Sequence, residues 1–124
     1  MPNQTEISNA KSSKYDLEER TQKFGEVAIG FAKKLPINII NTPLISQFIR
    51  SATSVGANYM EADVAESKKD FIHKIGICKK ESKETLHWLR MIAISNPDRG
   101  DECRILWKEA HELVLIFSAI NKKK

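Results

Sequence analysis

Six polar side chains between positions 47 and 61 recur at helical spacing: Gln47, Arg50, Ser51, Ser54, Asn58 and Glu61 would share about a 100° arc of one helix. Short side chains flanked by Ala52, Gly56, Ala57 and Ala62 let a second helix approach closely, and Arg50 and Glu61 would stand nearly in line along the stripe. Such a stripe has two chemical uses. As a polar seam it supplies hydrogen bonds that set helix register or hold a neighbouring subunit, with Arg50 and Glu61 at least partly buried. As a ligand site it offers Arg50 as the charged donor to phosphate or nucleic acid. The seam is the expected use.

Metal and nucleophile chemistry find less support. Glu84-Thr85-Leu86-His87 has the Glu-x-x-His spacing of di-iron bundles, but such a site needs two of these motifs and two further glutamates, all facing inward. Here the motif is single, and Leu86 on a core face would turn Glu84 and His87 outward. His73 and His111 have no ligand-like spacing to a partner and read as surface histidines. Cys78 and Cys103 fall at apolar positions and read as buried free thiols in a cytosolic protein. A catalytic thiolate needs a base and an electropositive pocket, and Lys79 and Lys80 would point away from Cys78 on a helix. No Gly-rich phosphate loop is present. No catalytic residue, cofactor or metal is expected, and the chain reads as a non-enzyme.

Charge is the remaining source of chemistry. Residues 1–66 hold 7 Lys and Arg against 8 Asp and Glu, and residues 67–124 hold 13 against 8, so the halves carry net charges of −1 and +5. The second half is where an anionic partner would be met, although a charge this small also suits a solvated face. Lys68, Lys69, Lys74, Lys79, Lys80, Lys83 and Arg90 decorate one segment, and Lys80 and Glu84 partly neutralise each other. Lys68, Lys69, Lys74 and Lys83 are the candidate phosphate contacts. No aromatic residue is interleaved with them, so no base-stacking platform is expected.

The elements that must position these residues are helices. After a polar stretch, residues 1–14, that reads as a flexible tail, Asp16 followed by Glu19 is a helix-start signal. Leu17, Thr21, Phe24, Val27, Ala28, Phe31, Ala32 and Leu35 then form one apolar face, stopped by Pro36. Thr42-Pro43 starts a second helix reaching about Glu66, with Ile45, Phe48, Ile49, Ala52, Val55, Gly56 and Tyr59 inward. Ser67 and Asp70 form a capping box for a third, to about Ser95, with Phe71, Ile72, Ile75, Cys78, Ser82, Leu86, Leu89 and Ala93 inward. Asn96-Pro97 breaks the pattern, and a fourth begins between Asp98 and Asp101. Its inward face is Cys103, Leu106, Trp107, Ala110, Leu113, Val114, Phe117 and Ile120, with Lys122–Lys124 at its end. No strand or hairpin signal occurs. Long helices with short connections imply an all-α, antiparallel up-down-up-down four-helix bundle over residues 15–124.

Two helices carry more apolar surface than one core needs. Ile77, Trp88 and Met91 on the third project off its stripe, and Ile105, Ile116 and Ile120 widen the arc of the fourth. Ile77, Trp88, Met91, Ile105 and Ile116 are therefore the expected homo-oligomer interface. No apolar run approaches the ~20 residues that span a bilayer. The N-terminus lacks the apolar core of a secretory signal, so a cytoplasmic protein without membrane contact is expected.

The segment from Ile45 to Ala62, ISQFIRSATSVGANYMEA, resembles the signature of the bacterial four helix bundle proteins, also called 23S rRNA-intervening-sequence proteins. The likeness continues through Ser67–Ile75 and Lys80–Thr85, and takes in Tyr15–Thr21 and the Leu35-Pro36 helix end. The fourth helix matches only in pattern. The resemblance implies a four-helix bundle that assembles as a homopentamer. Some relatives are encoded inside insertions in ribosomal RNA genes, and a related bundle is an accessory factor of retroelements thought to bind nucleic acid. No catalytic activity is attached to the family. The implied partners are further copies of the chain and RNA or DNA. Pentamerisation would multiply a weak subunit charge into a field. The alternative is a protein-binding adaptor whose apolar patches engage another protein without nucleic-acid contact.

Overall fold

Breaks in the hydrophobic pattern at Pro36, Ser67 and Pro97 divide the chain into its helices. The computed structural model describes the backbone of residues 4–122 and the side chains of residues 17–122. It contains helices α1 (Gln4–Ala32), α2 (Asn41–Asp63), α3 (Lys68–Ser95) and α4 (Gly100–Lys122), with a short 3-10 turn, Pro97–Arg99, before the last. Residues 1–3 of the expected tail lie outside the described residues, as do Lys123 and Lys124. α1 runs unbroken through Asp16 rather than starting there. No proline or glycine lies between Gln4 and Asp16 to interrupt it.

The Ser67 cap forms as the capping-box pattern predicts: its hydroxyl accepts from the Asp70 amide at 3.0 Å. The start of α2 differs. Thr42 does not cap it; the Asn38 side-chain oxygen accepts from the amides of Ile40 at 3.0 Å and Asn41 at 2.7 Å. An asparagine reaching forward to the backbone captures the orphan donors before the threonine can. α2 also ends at Asp63, short of Glu66.

Cross-helix pairs fix the direction of each helix. Thr21 and Thr53 of neighbouring helices lie beside Gly56 and Gly25. Arg50 meets Glu81 and Glu84, whereas Glu61 meets Lys74. Arg20 meets Glu109, whereas Lys34 meets Glu102. Numbers rise along one helix as they fall along its neighbour, which describes an antiparallel four-helix bundle. No strand occurs among the described residues.

Phe31 and Phe48 pack edge to face at 6.1 Å, and Tyr59 lies over Phe117 at 6.4 Å. Burial pushes the Tyr59 phenol up to about 12. The core face of α3 is rotated from the expected stripe. Thr85 and Ile92 are fully buried, whereas Phe71, Ile72, Leu86 and Ala93 are only half-buried. The reason is a polar pairing: the Thr85 and Ser51 hydroxyls meet across the α2/α3 seam at 2.9 Å, beside the Glu81 and Phe48 carbonyls at 2.8 and 3.2 Å. At the end of the bundle that holds the α1–α2 connection, Asn41 and Asn96 exchange side-chain amide hydrogen bonds, both of 2.9 Å. Asn41 also accepts from Ser95 at 2.8 Å and donates to the Pro36 carbonyl at 2.8 Å, so one buried amide ties the first connection to the third.

Two residues expected inward are exposed. Val27 lines a cleft between α1 and α4, and Trp107 lines a groove between α3 and α4. The α1/α4 seam is the most open of the bundle. Ion pairs hold it at either end, Arg20 with Glu109 and Glu112, and Lys34 with Glu102. Between them runs an apolar cleft of about 370 Å³ lined by Val27, Phe31, Ile105 and Leu106.

Candidate nucleic-acid interface

The polar stripe of α2 behaves as a seam, with one qualification. Arg50 Nη1 donates to Glu81 Oε1 at 3.1 Å, a second guanidinium nitrogen donates to Glu84, and Nε donates to Gln47 at 3.3 Å. Glu61 pairs with Lys74 at 2.6 Å. Both charged ends of the stripe thus grip α3. They do so from the surface, because the Arg50 and Glu61 side chains are 47% and 59% exposed. Long side chains reach over the seam while their heads stay wet. Ser51 is buried against Thr85, whereas Ser54 and Asn58 bond back to carbonyls of their own helix, Arg50 O at 2.6 Å and Ser54 O at 2.9 Å.

This seam decides the electrostatics of α3. Glu84 accepts from the Trp88 indole N–H at 3.1 Å and from Arg50. The indole bond and then the guanidinium hold its carboxyl below the usual carboxylate range. The same contact with Glu84 raises the Arg50 guanidinium further. Glu81 is turned to α2 and nearly buried, its side chain 11% exposed. Both carboxylates from the middle of α3 are therefore held on its α2 side.

What remains on the outer face is basic. Lys69, His73, Lys80, Lys83, His87 and Arg90 are all exposed, and at 100° per residue they fall within about a 100° arc. The stripe runs for about 31 Å at helical rise, and none of its cations has an acidic ion-pair partner among the described residues. Of the four expected phosphate contacts, Lys69 and Lys83 lie on this stripe and Lys68 is exposed at its start. Lys74 is instead engaged by Glu61, which raises its ammonium pKa. The sequence-level list missed Lys80 and Arg90. At 100° per residue Lys80 and Arg90 share the face of Lys69 and Lys83, which is the signal that picks them out.

The groove between α3 and α4 adds an aromatic group. Leu89, Arg90, Ala93, Gly100, Cys103, Arg104 and Trp107 line a space of about 230 Å³. Trp107 is 39% exposed and stacks on the His111 ring at 5.0 Å with 13° between the planes. Trp107, which periodicity places in the core, instead lines this groove with Arg90 and Arg104.

The expected subunit-interface residues divide. Ile105 is 68% exposed. Ile77 and Met91 are half-buried within the chain's own bundle, and Trp88 and Ile116 pack against its core. Further exposed apolar side chains are Ile37, Ile39 and Ile40 on the α1–α2 connection, and Ile94, Val64 and Leu115.

Cys78 and Cys103 are buried free thiols. Burial pushes them up to about 12 and about 11, which keeps them protonated and poor nucleophiles at neutral pH. Among the described residues no group of three or more His, Cys, Asp or Glu side chains is disposed to hold a metal ion, and no helix is long and apolar enough to cross a membrane.

Comparison with known proteins bears on the whole bundle. Residues 13–119 match the family of 23S rRNA-intervening sequence proteins. A solved structure from Bacteroides thetaiotaomicron, described as a protein of unknown function from the S23 ribosomal protein family, superposes with a TM-score of 0.78 at 25% identity. The match covers 90% of this chain and 99% of that one. No curated protein matches the chain.

Proposed function

Since the chain belongs to the 23S rRNA-intervening sequence protein family, we propose that it is a non-enzymatic, homo-oligomeric bundle that serves in the cytoplasm as a nucleic-acid-associated accessory or scaffold factor. The observation that carries this reading is the outer face of α3, where Lys69, Lys80, Lys83 and Arg90 stand exposed in one stripe while Glu81 and Glu84 are drawn to α2. A line of exposed cations with no ion pair among the described residues suits the phosphate backbone, which supplies affinity without sequence preference. Assembly, as a pentamer by the family resemblance, repeats the stripe on each subunit and strengthens the field. The apolar α1/α4 cleft with exposed Val27 and Ile105 supports self-association.

Labelled RNA and DNA titrated at low salt test the nucleic-acid part of the reading. Binding to neither polymer would transfer the function to a protein-binding adaptor, for which the same apolar cleft is the docking surface. Light scattering tests the assembly: an oligomer at micromolar concentration is expected, and Ile105→Glu should shift it toward monomer by placing a charge in a desolvated contact.

A further inference from the structure

We propose that the α3/α4 groove beside Trp107 is a binding site for an unpaired nucleobase, so that the nucleic acid this chain takes is single-stranded. The inference rests on the nucleic-acid reading above and adds the form of the polymer.

Stacking a base requires an aromatic face at the surface, an apolar bed beneath it and a cation for the adjoining phosphate. All three meet in this groove. Trp107 leaves the core although its neighbours Leu106 and Ala110 are buried. One side of the indole rests on the His111 ring at 5.0 Å, which props it in place, and the indole also lines the groove. Leu89, Ala93 and Cys103 provide the apolar bed, and a space of about 230 Å³ accommodates a planar base. A Cβ at Gly100 would meet nothing within 4 Å, so that side of the groove is open.

The cations are supplied twice. Arg90 closes the basic stripe of α3 and also lines the groove, so a strand tracking the stripe arrives with a phosphate at Arg90 and its base toward α4. Arg104 lines the opposite wall. Its pairing with Asp101 is exposed on both sides, 64% and 94%, and such a surface pair yields readily to a phosphate. A duplex keeps its bases paired inside and can offer the stripe only phosphates. A single strand can offer both groups, and a flat ring accepts any base, consistent with low sequence preference.

The chain has two tryptophans, so Trp88→Phe leaves Trp107 as the sole reporter. The full-length variant is titrated at low salt with single-stranded oligoribonucleotide and oligodeoxyribonucleotide and with the matching duplexes. Binding is read by anisotropy of the labelled oligonucleotide, and stacking by tryptophan emission. Quenching of Trp107 by single strands of either polymer, but not by duplexes, is expected. Trp107→Ala should weaken single-strand binding roughly tenfold and leave duplex binding unchanged. Trp107→Phe in the otherwise unaltered chain keeps the apolar bulk, should retain most of the affinity, and should lose the quenching. Single strands that bind without quenching, a Trp107→Ala variant with undiminished single-strand affinity, or one with a changed oligomer size would overturn the inference while leaving phosphate binding intact. Absence of binding to every polymer would instead remove the underlying reading, and the inference with it.

Discussion

Arg50 on α2 and Glu81 on α3 are joined across the seam at 3.1 Å, with the carboxylate 11% exposed and the guanidinium 47% exposed. The pair is asymmetric: the acid is nearly buried and the base is wet. Its consequence lies on the far side of α3, where no carboxylate shares the face that carries Lys69, Lys80, Lys83 and Arg90. A residue of the seam thus shapes the proposed interface without belonging to it.

Removing Arg50 leaves Glu81 nearly buried without its cation. Arg50→Ala should therefore destabilise the bundle by about 1–3 kcal/mol, less than the loss from a fully buried ion pair because the guanidinium is half in water. Thermal melting checks this. An unchanged melting temperature would mean that these seam contacts add no net stability, and would leave Arg50 available as a ligand contact.

Glu84 and Glu102 are both held below the usual carboxylate range, Glu84 by the Trp88 indole and Arg50, Glu102 by Lys34 and Arg99. A carboxylate whose pKa is lower in the folded than in the unfolded chain adds stability above its unfolded value, about 4.3 for glutamate. That stability is lost as pH falls through the folded value. The melting temperature should accordingly be little affected by these groups from pH 7 to about 5 and fall below about pH 4. Glu84→Gln should flatten the acid limb; a limb as steep as that of the parent chain would exclude Glu84 as a contributor.

Glycine has different costs at two places on the α1/α2 contact. A Cβ at Gly56 would sit 3.3 Å from the Thr21 carbonyl oxygen, whereas one at Gly25 meets Thr53 at an ordinary 3.7 Å. Gly25→Ala should stabilise by about 0.5–1 kcal/mol through helix propensity. Gly56→Ala should lose that gain and more, because it presses on backbone. Equal melting temperatures for the two variants would contradict the close approach.

Much of this was legible in the sequence. The Ser67 capping box and the Asn96-Pro97 break delimit helices directly, whereas α1 ends at Ala32, ahead of the expected stop at Pro36, and Arg50, Ser51 and Glu61 of the α2 stripe reach α3. What periodicity misread has a common cause: it weighs apolarity and cannot see partners. Thr85 is core because Ser51 waits opposite it, and Leu86 is displaced accordingly. Asn38 outcompetes Thr42 because its side chain reaches two amides. Val27 is exposed because the α1/α4 seam is open, and Trp107 because it lies at the rim of the α3/α4 groove, and neither property is written in the periodicity of one helix. That Glu84 is held by Arg50, 34 residues away, and not by Lys80 alone, is a long-range contact that periodicity does not carry.

Titration of labelled RNA and DNA against the full chain and a Lys69→Glu, Lys80→Glu, Lys83→Glu variant, at low and moderate salt, tests the basic stripe most directly. Lys74 is left unaltered, since Glu61 already engages it and its reversal would break the seam. The stripe predicts binding to the parent chain that weakens with salt at a slope of about −2.8 to −3.6 per subunit in log K against log salt, about 0.7–0.9 for each of the four phosphates that Lys69, Lys80, Lys83 and Arg90 would neutralise. The variant should retain the helical content and assembly of the parent while binding is abolished. Parent and variant binding alike, or neither polymer binding the parent at low salt, would contradict the assignment of α3 as a nucleic-acid interface.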